Sequence, residues 1–214
     1  MAEALQQDRL KVCQSPAEVA AGSDIIIVMV ADTPAVEAVL LGENGVLSGL
    51  RAGTLVIDMG TTAVGPTRRF AEQLRAREAD FLDAPVSGGE IGAIGGQLSI
   101  MVGGSESALA RAQPLFDVLG NKTVHIGEVG TGQITKAANQ VIVGLNIGAV
   151  AEALNLSGEV DACDLSESKS SRVVSDNINP QGFSQAFIAT WARASGLQAA
   201  GMATVLETIT IGHG

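Results

Sequence analysis

The chain has 214 residues, 46% of them hydrophobic and 17% charged, which is enough apolar material for a folded core and excludes a disordered linker. Aromatics make up 3%, with no Tyr and one Trp, against 26 Gly, so the core is expected to be Ala, Val, Ile and Leu in an α/β fold rather than a β-sandwich. A formal net charge of −10, with Lys and Arg scattered, leaves no basic face for a phosphate backbone, so no nucleic-acid partner is expected.

Short β-branched runs alternate with helical patterns. Strands are expected at Leu10–Cys13, Ile25–Val30, Thr54–Asp58, Asp80–Asp83, Leu98–Val102 and Thr123–Ile126. Helices are expected at Pro16–Ala21, Pro34–Leu41, Pro66–Ala76 and Glu106–Leu119. Ser15-Pro16 and Thr33-Pro34 each set a capping side chain before a proline that the first helical turn tolerates, and Ser105 caps the helix from Glu106. Ile25–Val30 and Leu55–Ile57 are apolar without alternation, the pattern of strands covered on both faces, so much of the sheet is expected to be parallel. Gln133–Leu156 runs on without a proline for roughly 35 Å, long enough to bridge two domains. Ser157–Gly182, rich in Ser, Asp and Asn, reads as a connector and Gln185–Ile211 as a last helix. The organisation expected is a nucleotide-binding type of domain over residues 1–130 and a helical region over 131–214.

Cys13 and Cys163 belong to no CxxC or His/Cys spacing, which predicts neither a disulfide framework nor a metal site. Met1–Leu10 has no basic and apolar leader pattern. The longest apolar tract, Val141–Leu154, is broken by Asn146 and Glu152 and falls short of the ~20 residues a bilayer requires. A cytoplasmic protein without a membrane span is expected.

Ligands of doubly wound sheets bind beyond the carboxyl ends of the strands. Two short polar loops stand there, Ala31-Asp32-Thr33-Pro34 and Met59-Gly60-Thr61-Thr62. After Asp80–Asp83 comes Ala84-Pro85-Val86-Ser87-Gly88-Gly89 and a further glycine-rich run, in which the backbone can approach an anion closely and Ser87 adds a hydroxyl donor. Near the start of the long helix, Lys136, Asn139 and Gln140 share one face, and a lysine there can donate a proton.

Each of these has a plainer reading. Ser87 and its glycines also describe a tight turn, Asp32-Thr33-Pro34 a helix cap, and Lys136 a solvated lysine. His125 and His213 have no partner at ligand or triad spacing, and Trp191 reads as core. A GxGxxG fingerprint after a first strand is missing, and Gly130-Thr131-Gly132-Gln133-Ile134-Thr135 imitates only part of it.

Taken together, four segments resemble the β-hydroxyacid dehydrogenase family, which includes 3-hydroxyisobutyrate dehydrogenase and tartronate semialdehyde reductase (2-hydroxy-3-oxopropionate reductase). They are Asp32-Thr33-Pro34 with Gly42-Glu43-Asn44-Gly45, then Val56-Ile57-Asp58-Met59, the run Asp83–Gly104, and Gly130–Gln140. Asn139-Gln140 with Ala151-Glu152-Ala153-Leu154 is most similar to the tartronate semialdehyde reductase branch. The resemblance covers residues 10–156. It implies an α/β fold with a truncated Rossmann-like parallel sheet, then a long interdomain helix and a partial helical segment.

The resemblance further implies that Ser87, Gly88 and Gly89 bind the substrate carboxylate, that Lys136 is the catalytic lysine, and that Asn139 orients the substrate. Val30, Ala31 and Thr61 fall at cofactor contacts, with Val30-Ala31 in place of the usual Leu-Pro. The cofactor implied is NAD or NADP, the partner a small hydroxy or aldehyde acid, and the reaction reversible hydride transfer between them; a homo-oligomer is possible. Two departures accompany it. The family's first strand, glycine turn and first helix have no counterpart here, and past Leu156 neither its helical domain nor its Lys-Asp-Leu motif aligns. The alternative expectation is an impaired relic or a non-catalytic cofactor-binding fragment of the same family.

Overall fold

The computed structural model describes residues 12–159. The expected helix Gln185–Ile211 and nearly all of the connector lie outside the described residues, as do Cys163, Trp191 and His213.

Ser15 accepts the Glu18 N–H and starts α1 (Pro16–Gly22); Asp32 accepts the Ala35 N–H and starts α2 (Thr33–Leu41). α1 begins at the expected cap and proline, whereas α2 begins one residue earlier than expected, at Thr33, because Asp32 rather than Thr33 supplies the cap. Between them lies β1 (Ile25–Val28), and after them a single turn, α3 (Val46–Gly49). The order continues with β2 (Leu55–Asp58), α4 (Val64–Arg75), β3 (Asp80–Asp83), β4 (Val86–Ser87) and α5 (Gly89–Ile94). It ends with β5 (Leu98–Gly103), α6 (Glu106–Leu119), β6 (Gly120–Gly127) and α7 (Thr131–Glu159).

The sheet is mixed. β1–β2, β2–β3 and β5–β6 pair in parallel, while β5 runs antiparallel to both β3 and β4, so the parallel expectation holds for three of five pairings. Strand β2 alternates between two cores: Val56 joins Ile26, Val28, Phe70 and Leu74 under α1, α2 and α4, whereas Leu55 and Ile57 join Leu82, Ile100 and Phe116 under α6. This is why β2 is apolar at consecutive positions.

Four expectations are corrected. Val12 and Cys13 belong to no strand, with Leu10 and Lys11 outside the described residues. Strand β1 is fully covered on one face only: on the other, Ile25 packs at the edge of the α6 core but Ile27 is 44% exposed. The glycine-rich run after Asp83 is not one loop but the short pair β4 and α5. The long helix runs past Leu156 to Glu159, the last described residue, so the first three residues of the expected connector are helical, and these 29 residues extend about 43 Å.

Candidate functional site

Two strand ends meet first. Past β1, Val30 is half-buried and Ala31 exposed; past β2 comes Gly60, whose Cα is so close that an added Cβ would stand 3.1 Å from the Val30 carbonyl. Thr33 Oγ1 accepts the Ala63 N–H at 3.0 Å and holds the two loops side by side. The β2 loop is fixed by a buried carboxylate beneath it: Asp58 accepts the Gly60 N–H at 3.0 Å and the Thr62 hydroxyl at 2.6 Å. Thr61, between these two pinned residues, is exposed. Val30, Ala31 and Thr61 therefore gather at adjoining strand ends, as the sequence pattern anticipates.

A second buried carboxylate governs the lysine helix. Asp83, the last residue of β3, accepts the N–H of Gly130 at 2.7 Å and of Gln133 at 2.9 Å. Gly130 stands just before α7 and Gln133 in its first turn, where no helical carbonyl can satisfy the donors. Gly132 lies so close beneath that a Cβ would meet the Met101 carbonyl at 2.5 Å and the Asp83 carbonyl at 2.7 Å. Gly130-Thr131-Gly132 is thus a packing device that seats α7 on the sheet, in keeping with reading it as an imitation of the dinucleotide fingerprint. Burial pushes the Asp83 carboxyl up to about 7 against the two backbone donors and also raises Asp58.

Lys136 follows Gln133 by three residues and is half-buried, and burial lowers its ammonium below the ordinary lysine value. Three residues further, Asn139 is buried; its Nδ2 makes a long 3.4 Å bond to Gln140 Oε1, and its Oδ1 has no partner among the described residues. A buried acceptor left open costs about 1–3 kcal/mol, so this one marks a place where a donor belongs. Gln140, on the same helix, is exposed.

Ser87 ends β4, opposite Ser99 of β5. Directly opposed residues share one face of a sheet, so Ser87 and Ser99 do too, and the buried Ser99 Oγ is also unpartnered. Gly88 then takes φ 144 and Gly89 φ 61, and a Cβ at Gly88 would come within 3.0 Å of Leu98, so only glycine fits that turn. Ser87 stands four residues past Asp83 in the chain, and Asp83 also caps the helix of Lys136, so both candidate elements hang from one anchor.

The residues that the sequence did not single out are Asp83, Asp58 and Gln133. The side chain of Gln133 is buried and spans from α7 to the β2 loop, accepting the Thr62 N–H at 3.0 Å and donating to the Gly60 carbonyl at 2.9 Å. Asp58 and Asp83 carried a signal, being carboxylates that end otherwise apolar strands. His125 bonds the Gly104 carbonyl at 2.8 Å, a strand-end contact. A cavity of about 380 Å³ between α4 and the turn before α7, lined by Arg68, Arg75 and Glu128 among others, contains none of the predicted residues. Among the described residues no group of His, Cys, Asp and Glu could hold a metal, and no helix is long and apolar enough to cross a membrane.

The family described as the NAD binding domain of 6-phosphogluconate dehydrogenase matches residues 1–127. The 2-hydroxy-3-oxopropionate reductase of Escherichia coli strain K12 is 50% identical over 145 residues, 68% of this chain and 50% of that protein. Human mitochondrial 3-hydroxyisobutyrate dehydrogenase is 40% identical over 147 residues, 68% of this chain and 44% of that protein. Among solved structures, Mycobacterium tuberculosis 3-hydroxyisobutyrate dehydrogenase with L-serine aligns with TM-score 0.62 and 35% identity, over 70% of this chain and 50% of that one. The chain spans about half the length of these relatives.

Proposed function

The chain belongs to the β-hydroxyacid dehydrogenase family, a family of oxidoreductases, and from that premise we propose that it serves reversible hydride transfer between NAD or NADP and a small 3-hydroxy acid or its aldehyde acid. The substrate class meant is the tartronate semialdehyde or 3-hydroxyisobutyrate type. The proposed division is a dinucleotide-binding domain over residues 1–130 and a helical region over 131–214.

The residues present fit the cofactor. Val30 is half-buried and Ala31 and Thr61 are exposed at adjoining strand ends, with Thr61 between the two pinned residues Gly60 and Thr62. Val30, Ala31 and Thr61 would hold the dinucleotide, and a bound nicotinamide supplies or accepts the hydride. Lys136 as an ammonium hydrogen-bonds the carbonyl oxygen of the aldehyde acid and gives it a proton as negative charge develops there, a general-acid contribution of roughly 10²–10⁴ in rate. In the reverse direction the neutral amine takes the hydroxyl proton. Burial of Lys136 favours both roles, because it brings the two protonation states closer in energy. Ser87, Gly88 and Gly89 anchor the substrate carboxylate, which fixes the carbon that faces the nicotinamide, and Asn139 orients the substrate.

The observation that carries this reading is the half-buried lysine one turn from a buried, unpartnered amide oxygen. Its test is fluorescence titration with NADH and with NADPH, followed by turnover of tartronate semialdehyde. Saturable micromolar binding with turnover is the expected result. Binding without turnover assigns the chain to the fragment alternative, and no binding of either cofactor overturns the proposal.

A further inference from the structure

We propose that the Gln133 carboxamide is a positioning link that holds the β2 loop and Lys136 in one fixed relation, so that a ligand resting on Thr61 is felt at the lysine. This deepens the proposed function and rests on it for the identity of that ligand.

The geometry is two-sided. Gly60 offers only a carbonyl and Thr62 only an N–H, and both lie past the end of β2, where no strand pairs with them. The amide of Gln133 meets each with its complement, Nε2 to the carbonyl at 2.9 Å and Oε1 to the N–H at 3.0 Å, at 2% exposure. That pairing fixes which end of the amide is which. The backbone of Gln133 is in turn held by Asp83 at 2.9 Å, so the residue cannot shift toward the loop without breaking the cap of α7. Lys136 stands three residues along, on the same helical face one turn away. Displacement of Gly60 or Thr62 must therefore stretch a buried hydrogen bond, at a cost, or tilt the first turn of α7, and the tilt moves the amine.

The rest of the loop offers no slack to absorb the displacement. Asp58 holds Gly60 and Thr62 from below, leaving Thr61 as the residue free to meet a ligand. The charged groups around the link are Asp58 under the loop, Asp83 under the helix, Lys136 along it, and Arg68 of α4, whose Nε would stand 3.1 Å from a Cβ at Gly130.

The test uses the full chain, reductively methylated with ¹³C on its lysines, with Lys136→Arg to assign the Lys136 signal. It compares wild type with Gln133→Met and Gln133→Glu, first without cofactor. Gln133→Met keeps the volume and loses both bonds, so exchange of the Thr62 amide is expected to rise about tenfold, the factor one lost buried hydrogen bond allows, and the Lys136 resonance to move. Gln133→Glu separates linking from mere filling. Its neutral carboxyl supplies one donor and one acceptor, as the amide does, and its ionised form turns an acceptor on the Gly60 carbonyl. Wild-type behaviour below its ionisation and Met-like behaviour above it are expected, after subtraction of the wild-type pH profile that carries Asp58 and Asp83. Unchanged Lys136 signal and Thr62 exchange in both variants overturn the link.

NADPH is then added. A saturable shift of Lys136 in wild type that is lost in Gln133→Met supports the link, and the same shift in both sinks it. Failure of wild type to bind NADH or NADPH overturns the cofactor reading alone, while the cofactor-free comparison judges the link.

Discussion

Asp83, the last residue of β3, accepts the backbone N–H of Gln133 in the first turn of α7 at 2.9 Å, and its other oxygen holds Gly130 at 2.7 Å. One buried carboxylate thus joins the strand that leads to Ser87 with the helix that carries Lys136.

The same burial makes stability depend on pH. The Asp83 carboxyl is raised from 3.8 to about 7, so between those values the folded chain keeps a proton that the unfolded chain has lost. Stability contributed by this group is complete below the unfolded value, falls by up to about 1.4 kcal/mol per pH unit through the window, and is gone above about 7. Asp58 is raised by burial and acts with the same sign. Urea denaturation at a series of pH values should show a decline from pH 4.5 to 7 that Asp83→Asn flattens. An equally steep decline in that variant would remove Asp83 from the account.

Lys136 has the opposite sign. Its folded value lies below 10.5, so the folded chain releases its proton first, and the contribution of the group to stability rises with pH across the window that ends near 10.5. A ¹³C titration of the methylated amine should give a midpoint below that of Lys136 in the urea-unfolded chain. Coincident midpoints would mean that the amine is fully solvated.

The proposed proton transfer predicts a separation between binding and turnover. Lys136→Ala should lose roughly 10²–10⁴ in turnover while NADH or NADPH affinity stays within a few-fold, since Val30, Ala31 and Thr61 are untouched. Steady-state assay beside cofactor titration measures both, and a variant that keeps its turnover would discard the lysine mechanism.

The local devices were legible in the sequence, and the long-range ones were not. Ser15 and Ser105 announce helices because a cap acts within three residues, and each accepts the N–H three positions on; before Pro34 the expected Thr33 gives way to its neighbour Asp32, which accepts the Ala35 N–H. The bonds from Asp83 run to backbone atoms 47 and 50 residues away, and those of Gln133 to atoms 71 and 73 residues away. Backbone donors carry no residue signature, so no spacing reveals them. The pair β4 and α5 stayed hidden because glycines interrupt every period by which strands and helices are recognised. The exposure of Ile27 in β1 was hidden for another reason: an apolar run names the apolar residues, not the element that covers them.

Gly132 tests how α7 is seated. The atoms a Cβ would meet there are the backbone carbonyls of Met101 and Asp83, which cannot rotate away as a side chain can. Gly132→Ala should therefore cost about 1–3 kcal/mol by overpacking and disturb the Asp83 bonds above it. Chemical denaturation reads the loss, and hydrogen exchange at Gly130 and Gln133 should rise with it. A neutral substitution would show that α7 has room to lift off the sheet at no cost.

Asn139 sets stability against function. Its Oδ1 is buried and has no hydrogen-bond partner among the described residues, and an acceptor left unpaired in such a place costs stability. Asn139→Leu, of similar size, removes that cost and should leave stability unchanged or raise it by about 1 kcal/mol, whereas a side chain kept for packing would lose stability on replacement. Under the proposed function the same variant loses the group that orients the substrate, so KM for the aldehyde acid should rise with cofactor affinity preserved. Denaturation and kinetics on one preparation decide the matter. A destabilised Asn139→Leu with unaltered KM would make the amide a structural residue and leave substrate orientation to Ser87 and Lys136.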